Sequence, residues 1–293
     1  MVLRSPVPTA TGWLQEAVPR ALAGFDGIFH CPFYALPYRQ PVPMVVGLWD
    51  LTFESHPRWF PAGKRIAFRI QARHAARTAR RVLVGSQTVR AEVVARYGVD
   101  PDRIIVAPLA ADPRFGPRED DARPTFGPNY VVAFGGAGRR RLDVAVAAWL
   151  RAGGPSLCSL VIIGDPGAVP TRGAIVEADL DDDGLAAALG GASALLYPTE
   201  YEGFGLPAVE AQASGAPVIC APVGALPEAL GDAAVWVTDA TVDGFAAALA
   251  EVLTDGERRR RLVADGLAWA RSRPGWSVAA AAFERAFREA AEG

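Results

Sequence analysis

The chain predicts an α/β protein made of two domains, each built on a parallel sheet. Three observations carry this reading. Short apolar runs alternate with helical segments throughout, 293 residues exceed a comfortable single core, and one stretch rich in proline, glycine and charge separates the runs into two groups. The first group is Gly27–His30, Met44–Gly47, Val82–Gly85 and Ile104–Ala107; the second is Tyr130–Phe134, Leu160–Ile163, Ala194–Tyr197, Pro217–Cys220 and Val235–Val237. Each run is too short for a helix and nearly continuous in apolar residues, as strands covered on both faces are. The separating stretch, Phe115–Pro128, predicts an interdomain linker.

Hydrophobic residues make up 51% of the chain, enough for two cores, and the net charge is −2. That near-neutral total hides an asymmetry. Residues 1–126 hold 17 Arg/Lys against 11 Asp/Glu, and residues 127–293 hold 13 against 21, so the parts carry +6 and −8. Much of the excess lies on a predicted helix over 64–81, where Arg65, Arg69, Arg73, Arg77 and Arg81 recur every fourth residue. Such a row drifts about 40° per step around a helix. It suits a solvated face in a chain whose only lysine is Lys64, or a peripheral contact with anionic headgroups through Arg65, Arg69, Arg73 and Arg77. No nucleic-acid partner is expected. No apolar leader opens the chain and no apolar stretch is long enough to span a bilayer, which predicts a cytoplasmic protein, at most peripheral at the inner membrane face. Cys31, Cys158 and Cys220 lie far apart and outside any ligand spacing, which predicts buried thiols.

The chemistry concentrates in Tyr197-Pro-Thr-Glu-Tyr-Glu-Gly-Phe-Gly-Leu-Pro-Ala-Val-Glu210. The strand ending at Tyr197 runs into a turn that Gly203 and Gly205 make possible, and Pro207 suits the first turn of the helix that follows. Backbone N–H groups at a helix N-terminus bind anions, and the two carboxylates, Glu202 and Glu210, accept protons from hydroxyls. A phosphate and a polyol together suggest a nucleotide sugar. A second glycine turn, Gly135-Gly136, precedes Arg139 and Arg140, whose guanidinium groups match a diphosphate through paired hydrogen bonds. The acidic run Asp179–Asp183 reads as a helix start rather than a metal site, and no metal or other cofactor is expected.

Glu202 and Glu210 with Gly-Phe-Gly-Leu-Pro between them resemble the E-x7-E signature of glycosyltransferase family 4 (GT4), retaining enzymes of the GT-B fold. Downstream, Ala211–Ile219 and Gly224–Gly231 are similar to further family segments, and Phe134–Leu142 resembles the family's glycine turn and Arg-Lys pair. The resemblance implies two Rossmann-like domains facing a cleft: an acceptor-side domain with its linker over 1–126, a donor domain over 127–275, and a helix over 276–293 packing back toward the first. It implies that Glu202 holds the donor sugar and is the catalytic residue, that Glu210 binds ribose, and that Gly135, Gly136, Arg139, Arg140, Gly203, Phe204, Gly205 and Leu206 bind the donor phosphates. The nucleobase would lie near Ile175 and Val176. The implied reaction moves a hexose from a UDP- or GDP-sugar to a glycolipid, polysaccharide or secondary-metabolite acceptor. Attack comes from the leaving group's own face, with the departing phosphate taking the acceptor's proton.

The first part follows the family's order through Phe29–Pro37, Val46–Leu51, Val84–Ser86 and Ile105–Pro108, with departures. Trp49 precedes Asp50 on the acceptor side of the cleft where relatives carry a histidine. Pro108-Leu-Ala-Ala-Asp112 replaces a Pro-Asn-Gly turn, and Arg140 replaces a lysine. Residues 1–11 stand where relatives have at least a βαβ unit, which implies a truncated N-terminal domain, a late start, a rearranged domain, or strands supplied by a partner chain. Trp49 and the short start also keep open a second reading, a catalytically weak nucleotide-binding subunit serving another glycosyltransferase.

Overall fold

A computed structural model of the chain describes residues 12–117, 126–136 and 138–292. It divides into two units, Met1–Leu109 with Pro274–Gly293, and Ala110–Arg273.

The first unit contains β1 (Phe29–Cys31), β2 (Met44–Gly47), β3 (Arg81–Val84) and β4 (Ile104–Val106), paired in that order and all parallel. Its helices are α1 (Val18–Ala21), α2 (Thr52–Ser55), α3 (Ala62–Thr78) and α4 (Gln87–Tyr97). Side chains alternate across the pleat. Met44, Val46, Val82, Val84 and Ile104 point into a core with Val18, Ala72, Ala75, Ala76, Val89 and Val93. Val45, Leu83 and Ile105 point the other way and are covered by Phe283, Ala286, Phe287 and Ala290 of the helix Trp276–Glu292. Ser86 accepts a hydrogen bond from the Val89 amide to cap α4, and Gly98 ends that helix at φ +64°.

In the second unit the order is β5 (Tyr130–Phe134), α5 (Leu142–Ala152), β6 (Ser159–Ile163), β7 (Ile175–Glu177), α6 (Asp182–Gly190), β8 (Ala194–Tyr197), α7 (Leu206–Ala213), β9 (Val218–Cys220), α8 (Leu226–Leu230), β10 (Val235–Trp236), α9 (Val242–Thr254) and α10 (Gly256–Ser272). Numbering the helix Trp276–Glu292 as α11 completes the set. The six strands lie in the order β10-β9-β8-β5-β6-β7, all parallel. Helices α5 and α9 pack on one face, where Trp149 is fully buried and its indole N–H donates to the Cys158 carbonyl at 3.0 Å.

Two expectations change. Residues 110–117 belong with the second unit, because Phe115 is buried and Arg114 reaches Asp182 and Asp183 at 3.3 Å. The remainder of the expected linker, 118–125, lies outside the described residues, as does Ala137 in the glycine turn. Strand β7 is an addition: Ile175 and Val176 form an outer strand paired to β6, and both are more than a third exposed.

Candidate donor-binding site

The strand order reverses direction between β5 and β8. From β5 the chain builds outward through β6 and β7; from β8 it builds the opposite way through β9 and β10. In open parallel sheets the crevice at the carboxyl ends of the two strands flanking such a reversal is where ligands bind. Both glycine turns of the sequence lie there, one leaving β5 and one leaving β8.

The turns are stitched together. The Glu200 amide donates to the Arg139 carbonyl at 2.9 Å, the Thr199 hydroxyl oxygen lies 3.3 Å from the same carbonyl, and Arg141 pairs with Glu200 at 2.5 Å. The structure therefore brings Arg139 and Glu202, 63 positions apart, into one cluster, with Arg139 Nη2 3.6 Å from Glu202 Oε2. Glu202 is buried. Its Oε1 accepts hydrogen bonds from the Tyr197 hydroxyl at 2.6 Å and the Thr199 hydroxyl at 3.3 Å. One carboxylate oxygen is held by two hydroxyls and the other faces a cation. Burial, followed by the nearby Glu202 charge, raises the Tyr197 phenol well above its ordinary pKa, so it stays a donor.

The glycines work differently from the expectation. The Gly135 amide donates to Ile163 O at 2.8 Å and the Gly136 amide to Asp165 O at 2.7 Å, so both are used within the fold. A Cβ on Gly135 would lie 2.4 Å from the Asp165 carbonyl, so its place is set by loop-to-loop approach. The remaining polar groups on this side are the side chains of Arg139 and Arg140. Arg140 donates to Gly135 O at 2.8 Å and lies over the Phe134 ring, yet its Nε and that of Arg139 are buried without a hydrogen-bond partner among the described residues. Across the turn after β8, Gly205 takes φ +91° and leads into α7. Phe204 is buried beneath the Arg273 guanidinium rather than turned outward.

Glu210 sits half-buried on α7. Burial, and then the charges of Asp182 and Asp112, raise its carboxyl to a pKa of about 7. These acids, with Arg114 between them, are neighbours that the sequence does not announce, since they lie 28 and 98 positions from Glu210. Asp181 caps α6 through the Gly184 amide, in keeping with a helix-start role for the acidic run. The two residues expected on the acceptor side belong to the first unit. Trp49 donates to Pro32 O at 2.7 Å and stacks on Phe283; Asp50 accepts from the amide and hydroxyl of Thr52.

A further residue emerges from the geometry. Gly224, at φ +54°, abuts the Glu202 backbone so closely that a Cβ would lie 2.2 Å from its carbonyl oxygen, and the neighbouring Ala225 amide donates to that oxygen at 2.9 Å. Gly224→Ala is therefore expected to cost about 2–4 kcal/mol, from left-handed backbone strain plus displacement of Glu202. Thermal unfolding checks it, and a loss under about 1 kcal/mol would contradict the close contact.

Two parallel-sheet units, with paired glutamates and arginines at the reversal point of the second, define the class of GT-B glycosyltransferases. Known proteins agree. The family model described as Glycosyltransferase Family 4 matches residues 3–115, and that described as Glycosyl transferases group 1 matches residues 177–269. Both parts of the chain thus match glycosyltransferase models. It is 31% identical over 207 residues to the MMP alpha-(1->4)-mannosyltransferase of Mycolicibacterium hassiacum, covering 63% of this chain and 48% of that protein. It is 27% identical over 274 residues to O-antigen chain mannosyltransferase B of Escherichia coli, covering 84% and 70%. The chain thus spans about half the length of the first relative. Among solved structures, WaaG, a glycosyltransferase involved in lipopolysaccharide biosynthesis, superposes with a TM-score of 0.77 at 15% identity, covering 97% of this chain and 85% of WaaG. Anabaena HepE in complex with UDP-glucose gives 0.69 at 16% identity, covering 83% and 71%.

Proposed function

We propose that this chain handles the donor in a retaining glycosyl transfer, moving a hexose from a UDP- or GDP-sugar to a glycolipid, polysaccharide or secondary-metabolite acceptor. The observation that carries the reading is the convergence of two guanidinium groups, Arg139 and Arg140, on the buried Tyr197–Glu202 pair, with Glu202 fixed by Tyr197 and Thr199. Two cations against a single carboxylate call for an anion. A fixed carboxylate beside them calls for hydroxyls. The mannosyltransferase relatives and the HepE complex with UDP-glucose support a hexose on a nucleoside diphosphate.

In this reaction the bond between the anomeric carbon and the diphosphate oxygen breaks, and its electron pair leaves with the diphosphate. Arg139 and Arg140 stabilise that growing charge. The acceptor oxygen bonds to the same face of the anomeric carbon, and its proton passes to the departing phosphate oxygen, so no protein base is assigned. Glu202 accepts from a hydroxyl of the donor sugar, Glu210 accepts from the ribose hydroxyls, and Ile175 and Val176 offer exposed apolar surface to the base. No metal is assigned a role.

Titration with UDP-glucose, GDP-mannose and their nucleotides tests the reading; failure of every one to bind would end it. The pH dependence is a sharper check. The Glu210 carboxyl has a pKa of about 7 in the free protein, and ribose hydroxyls favour its ionised form, so affinity is lost as pH falls through that value. Binding of a nucleotide sugar is expected to tighten up to about tenfold from pH 6 to pH 8, and to become flat in Glu210→Gln. A wild-type profile as flat as the variant's would remove Glu210 from the site.

The second reading, a weakly catalytic nucleotide-binding subunit, draws on Trp49. Its indole is committed to Pro32 O and to Phe283, and it supplies neither acid nor base. A protein that binds nucleotide sugars tightly yet neither hydrolyses nor transfers them would favour it.

A further inference from the structure

The short turn Gly138–Arg140, which carries Arg139 and Arg140, ends on a strained residue. Arg141, the N-cap of α5, takes φ +47° and ψ +51°, the left-handed region that suits glycine and disfavours arginine. Non-glycine residues held there gather at functional sites, where their surroundings fix them. Here the surroundings are charged. The Arg141 guanidinium donates through Nη1 to Glu200 Oε1 at 2.5 Å, and through Nε and Nη2 to the Asp143 carboxylate at 3.0 Å each. Asp143 lies two residues along, on α5, whereas Glu200 belongs to the turn after β8, 59 positions away. The two side chains of the Arg141–Glu200 pair are 38% and 37% exposed, so water screens the pair and it adds little to stability. Folding alone does not explain this residue, since glycine makes the same turn without strain.

We propose that Arg141 is a positioning residue: by gripping Glu200 it fixes the turn after β5 against the turn after β8, and so holds Arg139 and Arg140 where a donor diphosphate beside Glu202 needs them. The inference rests on the donor-site reading above. Arg139 and Glu202 come from different turns, so their 3.6 Å separation is only as well defined as the join between those turns. The contacts of Glu200 and Thr199 with the Arg139 carbonyl converge on one oxygen, and a join through one atom allows rotation. The Arg141–Glu200 contact supplies a second point and removes that freedom. The gain is large for charged groups, because a displacement of about 1 Å can cost up to about 100-fold in rate. Arg141 does this without meeting the donor: Nε, Nη1 and Nη2 are all engaged by carboxylates of the protein.

Arg141→Gly tests the proposal, because glycine accepts the left-handed backbone and removes only the side chain. Calorimetric titration of the full chain with UDP-glucose and GDP-mannose is expected to show affinity about tenfold weaker than the parent's, as preorganisation is lost. The thermal midpoint should stay within about 4 °C of the parent. Glu200→Ala is expected to weaken binding equally, and the double variant no further than either alone, since both remove one contact. Arg141→Lys, which still reaches Glu200 with a charge, should recover part of the loss. Losses that add in the double variant, or tighter binding in Glu200→Ala, would show Arg141 meeting the diphosphate itself and overturn the positioning role. Parent-like affinity in Arg141→Gly overturns it as well, and leaves the donor-site reading standing. A parent that binds neither donor removes that reading and this inference with it.

Discussion

Glu202→Gln is expected to reduce turnover of a nucleotide sugar by about 100-fold or more while leaving the affinity for the free nucleotide within a few fold. The contrast follows from what the carboxylate touches. Glutamine keeps the shape and still accepts a hydrogen bond from Tyr197, so the turn after β8 stays folded. It loses the charge facing Arg139 and the strong acceptor for a sugar hydroxyl, and both act in a buried site where electrostatic interactions are magnified. Glu202→Ala is a poorer probe, because it leaves the Tyr197 hydroxyl buried without an acceptor, a cost of about 1–3 kcal/mol. Tyr197→Phe should fall between, losing about tenfold in turnover with little change in nucleotide affinity. Steady-state kinetics on the donor alone, with hydrolysis as the readout, measures all three. Full turnover by Glu202→Gln would mean that the carboxylate is structural.

Glu210→Ala is expected to weaken nucleotide binding by roughly 10- to 150-fold, the worth of charged hydrogen bonds of about 1.5–3 kcal/mol. Its stability effect has the opposite sign. A carboxyl with a pKa of about 7 in the folded protein, against an ordinary value near 4.5, opposes folding once ionised; the penalty is absent below the ordinary value and complete as pH rises past 7. At pH 8 the alanine variant should therefore unfold no earlier than the parent while binding UDP or GDP far less well. Calorimetric titration beside thermal unfolding separates the two effects, and an unchanged affinity would show that Glu210 does not meet the ribose.

The strands were legible because parallel strands covered on both faces are continuous apolar runs, as in Tyr130–Phe134 and Ala194–Tyr197, both fully buried. Strand β7 escaped because Ile175-Val-Glu177 is short and lies on the outer edge, where half the contacts that drive apolar composition are missing. In the site, glycines, glutamates and arginines announce themselves by type and spacing, whereas the groups that set their behaviour do not. Thr199 and Tyr197 were in plain view beside Glu202, but only the fold shows that both hydroxyls converge on one of its oxygens. Asp112 and Asp182 reach Glu210 through tertiary structure alone. The arginine row misled for a geometric reason: a repeat of four on a helix of 3.6 residues per turn winds from the buried side to the exposed one, so equal spacing does not make equal roles.

The first unit is assembled from two lengths of chain, with all of Ala110–Arg273 lying between them. On the ribosome this fixes an order of events. Val45, Leu83 and Ile105 emerge early but gain their cover of Phe283, Ala286, Phe287 and Ala290 only after the second unit has been synthesised, whereas that second unit is contiguous and can close as it emerges. The nascent protein therefore carries one bare sheet face while the second unit is made. At about 5–20 residues per second, that interval lasts on the order of ten to thirty seconds, the period in which a chaperone has the most to hold.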